Sequence, residues 1–289
     1  RMNKLQTLAQ NRAFIPLLGL AALPYYNQAH PDQRNYTSEE ITKDGKLHCD
    51  LMEWVTHLSN SAAALTIMDL TVEHEAFLRA NGLSAPISYN SPNPEIKWTL
   101  AQAKGIKTED LTEEMIKELV IPDPYEHGRM PEFLKAVRLM SERVDKSKPK
   151  VAYVMGPFTL VAKLIGEFQT MNMMTDSDET KVVDRLLEKA QETIERYVLS
   201  LIKEGADIIV ILDPSSEYAL HVSIEDGKPS QFEKYIVEPA NSLARVINQK
   251  GRLAIMHSCT RKMYEPAEAV LPLLAEMNVQ CHSIAANVS

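Results

Sequence analysis

Residues 205–214, GADIIVILDP, decide how the rest of the chain is read. The run Ile208–Leu212 is apolar without interruption. A strand lacking polar alternation has to be covered on both faces, as in a parallel sheet or barrel, whereas a half-wet antiparallel strand alternates. Gly205 closes the helical pattern before it, and Asp213-Pro214 stops the strand after it. An acid at the carboxyl end of such a strand stands where α/β folds place their chemistry. Asp-Pro at that point also simply makes a turn, so Asp213 carries both readings.

Outward from this strand, five further stretches have strand character. They lie near 14–20 (FIPLLGL), 64–70 (ALTIMDL), 150–156, 253–259 (LAIMHSC) and 279–285. Between them run helical patterns. Residues 109–120 and 131–144 repeat apolar residues at three- and four-residue steps within a connection, 86–148, in which no strand stands out, and Pro131 is placed to open its helix. A long amphipathic helix is expected over 177–203, and others over 231–248 and 266–277. Strand and helix in this alternation define an α/β fold. The expected architecture is a TIM (β/α)8-type barrel occupying 1–289 as one domain, with 1–60 supplying a first strand and a helical excursion. A closed barrel needs eight strands, so its last strands are expected to lie outside this chain.

Composition narrows the function classes. The formal charge of −8 and a pI near 5.6 oppose binding to nucleic acid or to an anionic membrane surface. Three cysteines, Cys49, Cys259 and Cys281, are too few and too scattered for a disulfide framework and fit a reducing cytoplasm. No apolar run approaches a membrane span, and no signal-peptide pattern opens the chain.

Two features carry candidate chemistry. His257 and Cys259 are two residues apart on a strand and therefore project to the same side. Imidazole nitrogen with thiolate sulfur suits zinc, while a His and a Cys ending a core strand is the alternative. Asp69 ends the 64–70 strand and is either an active-site acid or a cap on the helix that follows. The Met cluster of 171–174 offers adaptable packing, against a ligand or a core.

Taken in order, IMDLTVEHEAF (67–77), MGPFTLVAKLIG (155–166), EGADIIVILDPSS (204–216), the Phe-x-x-Tyr-Ile-Val-x-Pro stretch at 232–239 and IMHSC (255–259) resemble the uroporphyrinogen decarboxylase superfamily. Within it they resemble the zinc-dependent, corrinoid-linked methyltransferases. The resemblance covers the chain from about residue 60 onward. It implies a TIM barrel with its site at the carboxyl ends of the strands. It also implies zinc held by His257 and Cys259, with methyl transfer between a corrinoid carrier (a corrinoid protein or free methylcobalamin) and a small thiol or other acceptor. Asp69 and Asp213 fall at the barrel mouth as catalytic candidates, and Glu73, Phe158 and Asn287 as substrate-binding ones. The third zinc cysteine of that branch falls beyond Ser289. Cys281 is not nominated, because it begins its strand at the opposite end of the barrel. The Arg-rich segment by which true decarboxylases hold substrate carboxylates is absent here, where only Arg34 lies near. The alternatives are a metal-free tetrapyrrole decarboxylase and a non-catalytic family member.

Overall fold

The strand Ile208–Leu212 lies at the centre of a five-stranded sheet in which every neighbouring pair is parallel. The computed structural model describes residues 19–90, 93–175, 179–219, 230–258 and 274–284. In chain order its strands are β1 (Ala64–Leu65), β2 (Ile87–Ser88), β3 (Glu95–Ile96), β4 (Lys150–Met155), β5 (Ile208–Leu212), β6 (Leu253–Ser258) and β7 (Cys281–Ile284). The sheet order is β1-β4-β5-β6-β7, each strand beside its predecessor in the main sheet, as in a TIM-type α/β barrel. All five residues of β5 are buried. At about 1.5–3 kcal/mol for each buried aliphatic side chain, this one strand contributes on the order of 10 kcal/mol before the entropy of ordering it is counted.

The helices that cover the sheet include α1 (Gly45–Leu58), α2 (Val72–Ala80), α3 (Met130–Arg143), α4 (Pro157–Ile165), α5 (Thr180–Glu204) and α6 (Glu238–Gln249). Their starts follow local chemistry. Asp44 accepts from the amides of Lys46 and Leu47 to cap α1, and Pro stands in the first turn of α3, α4 and α6. The long helix α5 buries Val183, Leu186, Ala190, Ile194, Tyr197 and Leu201, a stripe at three- and four-residue steps, and ends at Gly205 with φ +114°. A wide π turn, Glu233–Val237, leads into α6 just before Pro239, which has no N–H to close an ordinary helical bond.

Three differences from the sequence reading concern the site. The stretch 64–70 pairs with β4 only at Ala64 and Leu65. Beyond Leu65 the next amide, of Thr66, donates to Val151 O, but that of Ile67 is taken by His48 Nε2 of α1 at 2.8 Å, and Asp69 folds back onto Thr71, so the ladder ends. The connection 86–148 is not wholly helical: β2 and β3 form an antiparallel ribbon, with Ile87 opposite Ile96. Within 109–120 the α-helix covers Glu113–Lys117. Of the expected first strand, residues 14–18 lie outside the described residues, and Gly19 and Leu20 belong to a short 3-10 turn. Most of the expected helix 266–277 also lies outside them. No described helix is long and apolar enough to cross a membrane.

Candidate active site

Parallel register lines up the carboxyl ends of the strands. Met155 of β4 is level with Leu212 of β5, which is level with His257 of β6. One residue further on, the Gly156 amide donates to Leu212 O (2.7 Å) and the Asp213 amide to His257 O (3.2 Å). Asp213 therefore sits between Gly156 and His257 on the edge where such folds carry chemistry.

Asp213 is 2 % exposed. Its Oδ1 accepts from the Thr159 amide (3.1 Å) and from Thr159 Oγ1 (2.5 Å). Thr159 is the third residue of α4, whose N-cap, Gly156, has no side chain to offer. Asp213 thus caps α4 from the neighbouring strand, satisfying an amide that the helix leaves open and meeting the positive end of its dipole. The approach is close enough to require glycine: a Cβ on Gly156 would fall 2.6 Å from Asp213 Oδ2 and 2.7 Å from its Cβ. Burial pushes the Asp213 carboxyl up to about 7, against the pull of the Thr159 hydrogen bonds.

Asp69 belongs to a buried ionic cluster. Its Oδ1 accepts from the amide (2.9 Å) and hydroxyl (2.5 Å) of Thr71, and its Oδ2 from Arg129 Nη1 (2.6 Å). Arg129 also donates from Nε to Glu75 (2.7 Å) and from Nη2 to Thr71 Oγ1 (2.5 Å). Its side chain is 4 % exposed. Both Asp69 oxygens are committed to protein donors, so this carboxylate organises the loop between β1 and α2. Arg129 arrives from the start of α3, far along the chain, and no local pattern marks it. Its one sequence signal is a lone cation, after Gly128, at the opening of a helix.

Glu73 is equally buried. It accepts from the Met155 amide (2.8 Å), holding the end of β4, and burial raises its carboxyl to about 7. Phe158, expected to contact substrate, is fully buried with its ring 5.8 Å from that of Tyr235, where α4 meets the π turn that precedes α6. That is a packing position. His257 is partly buried at the end of β6. Cys259 and Asn287 lie outside the described residues. Among the described residues no group of three His, Cys, Asp or Glu is arranged to hold a metal. Of the expected pair, His257 stands near the carboxyl end of β6, a parallel strand. Cys281 is exposed at the first position of β7.

A cleft of about 550 Å³ opens beside this edge, between the β2–β3 ribbon and the strand ends. Met68, Leu70, Leu212 and Pro214 form its inner wall, and Pro94 and Ile96 its outer one. His74, of α2, also lines it.

A parallel α/β sheet with carboxylates and a histidine along its carboxyl edge defines a barrel-type enzyme scaffold. The family model described as uroporphyrinogen decarboxylase (URO-D) matches residues 33–289, and the chain belongs to that family. It is similar to the methylcobamide:CoM methyltransferase MtbA of Methanosarcina mazei, at 27 % identity over 132 residues, covering 46 % of this chain and 36 % of that protein. It is also similar to MtaA of Methanosarcina barkeri, at 24 % identity over 141 residues, 48 % of this chain and 38 % of that one. The matched stretch thus spans little more than a third of these relatives. In fold it is similar to a methyltransferase from Methanosarcina mazei, with a TM-score of 0.66 and 20 % identity over 85 % of this chain and 64 % of that one.

Proposed function

We propose that this chain carries the site of a corrinoid-linked methyltransferase, moving a methyl group between a corrinoid carrier and a small thiol acceptor. Membership of the family and similarity to methylcobamide:CoM methyltransferases support this reading. The observation that carries it is the position of His257, at the mouth end of β6, hydrogen-bonded through its carbonyl to the Asp213 amide and two residues before Cys259. His257 and Cys259 are the zinc-holding pair in this reading, with the remaining ligands drawn from elsewhere. A bound zinc supplies Lewis acidity that keeps an acceptor thiol ionised near neutral pH.

The other residues position and enclose. Asp213, anchored by Thr159, fixes the edge beside His257, and Asp69, anchored by Arg129, fixes the loop above β1. The apolar wall of the cleft holds the body of the acceptor against that edge, which contributes orientation. In the transfer the acceptor sulfur loses its proton and gains the methyl group, and the carrier's cobalt keeps the electron pair of the broken bond. The partners are a corrinoid protein or free methylcobalamin and a small thiol, in a reducing cytoplasmic setting. A tetrapyrrole decarboxylase would need cations facing its substrate's carboxylates. Arg129, the cation beside Asp69, is buried and spent on Asp69 and Glu75.

The test is zinc content and thiol-dependent demethylation of methylcobalamin by the full-length protein, its H257A and C259S variants alongside. About one zinc per chain, lost with either substitution together with the demethylation, is the expected result. Full-length protein that binds no zinc, or variants that retain it, would refute the assignment.

A further inference from the structure

The cleft beside the strand edge contains a polar group that the scheme above leaves unused. His74 is 1 % exposed, lines the cleft, and has no hydrogen-bond partner among the described residues on either Nδ1 or Nε2. Its neighbours differ: Glu73 is satisfied by the Met155 amide and Glu75 by Arg129. The other buried histidine of this region, His48, spends its Nε2 on the Ile67 amide. Buried polar groups are seldom left unpaired, and one set in the wall of a cavity is completed by whatever fills that cavity.

The surroundings define what fits. The inner wall is apolar, formed by Met68, Leu70, Leu212 and Pro214. Charges on the cleft cancel, Lys97 and Lys163 against Glu95 and Glu167, and Lys163 is already paired with Glu167 at 2.7 Å. Leu212 is level with His257 in the sheet, so the cleft begins one strand away from the proposed thiol position.

We propose that His74 anchors a substrate subsite in this cleft, hydrogen-bonding an uncharged hydroxyl or amide at the far end of an otherwise apolar acceptor. The word acceptor rests on the methyl-transfer reading; the subsite rests on the cleft and His74 alone. Burial, with Lys163 adding to it, holds the imidazole down at about 3, so the ring is neutral at physiological pH and presents one donor and one acceptor. A hydroxyl or amide matches that pair. An anionic tail would meet an uncharged ring, with Lys163 already paired to Glu167 and Lys97 offset by Glu95.

Binding of three thiols of similar length, 4-mercapto-1-butanol, 1-pentanethiol and 3-mercapto-1-propanesulfonate, to the full-length protein is measured by ligand-observed NMR, together with the His74 ring ¹⁵N resonances. The hydroxyl thiol is expected to bind about fivefold or more tighter than the sulfonate and to shift the His74 nitrogens. In H74L it should lose roughly tenfold in affinity, the scale of one hydrogen bond, while pentanethiol is unaffected; H74Q should recover part of the loss. Unmoved His74 resonances, a sulfonate bound tightest, or an H74L variant with unchanged hydroxyl preference would overturn the subsite. If H74L fails to fold, the wild-type resonances and order of preference decide alone. Demethylation of methylcobalamin is followed in parallel. Its absence with the binding pattern intact refutes the methyl-transfer reading and leaves the subsite standing; transfer without the pattern does the reverse.

Discussion

Replacing Arg129 with methionine tests whether the buried cluster around Asp69 holds the mouth of the barrel together. The guanidinium donates to Glu75 at 2.7 Å, to Asp69 at 2.6 Å and to Thr71 at 2.5 Å, and the side chains of the three ionic partners are 4 %, 0 % and 11 % exposed for Arg129, Asp69 and Glu75. Methionine keeps most of the apolar stem, so the cavity contribution is small. What remains is two carboxylates in one dry site without their cation. Breaking a buried ion pair from one side costs about 3–5 kcal/mol, a large part of the ~5–15 kcal/mol that holds a typical domain folded. The assay is urea denaturation at pH 7 followed by circular dichroism, with comparable slopes as the check that midpoints report stability. In R129M/D69N/E75Q none of the three charges of this cluster remains, so at least half of the loss should return. A loss below about 1 kcal/mol in R129M, or a triple variant no more stable than the single one, refutes the claim that ionic pairing organises this loop.

Three further outcomes follow from buried contacts. Gly156→Ala should cost about 1–3 kcal/mol by driving a Cβ into Asp213, and clearly less in a D213G background, where the carboxyl and the Cβ that it would meet are both gone; urea midpoints of the four proteins measure the coupling. Burial lifts Glu73 from 4.5 to about 7, so between these pH values the folded chain holds a proton that the unfolded chain has released. Its contribution to stability is therefore present below about pH 4.5 and lost as pH rises through 7. E73Q should gain on wild type as pH rises, to about 3 kcal/mol at pH 8, and denaturation midpoints from pH 5 to 8 that show a constant difference would contradict this. Lys150, 4 % exposed, donates to the carbonyls of Val144, Asp145 and Lys148 beyond the end of α3; K150M should lose about 1–3 kcal/mol in the same denaturation assay.

How far residues announce such a structure depends on the distance over which their partners lie. Burial on both faces leaves its mark directly in composition, which is why Ile208–Leu212 reads as a central parallel strand and the α/β order around it follows. The amphipathic stripe of α5 is equally local, and so is its Gly205 stop. Local patterns fail where a side chain from another element intervenes. Residues 66–70 have the apolar character of a strand, yet His48 captures the Ile67 amide and Thr71 draws Asp69 back, so pairing ends at Leu65. The two-residue strands of the ribbon are too short to show a period. Arg129 meets Asp69 and Glu75 across more than fifty residues, and nothing near it in sequence foretells two carboxylates.

Asp213 shows what the two readings of one residue amount to in space. An Asp-Pro that makes a turn and an acid at an active-site edge are alternatives on sequence; in the structure the residue whose carboxylate caps α4 also donates its own amide to the His257 carbonyl at the mouth of the sheet. A side chain fixed by a helix terminus is already oriented before any ligand arrives, so its capping role is what makes it serviceable as a positioning group. The same reasoning separates His74 from the rest of the edge. Asp69, Glu73, Glu75 and Asp213 are each consumed by protein donors, whereas His74, in the wall of the cleft, has neither ring nitrogen matched among the described residues.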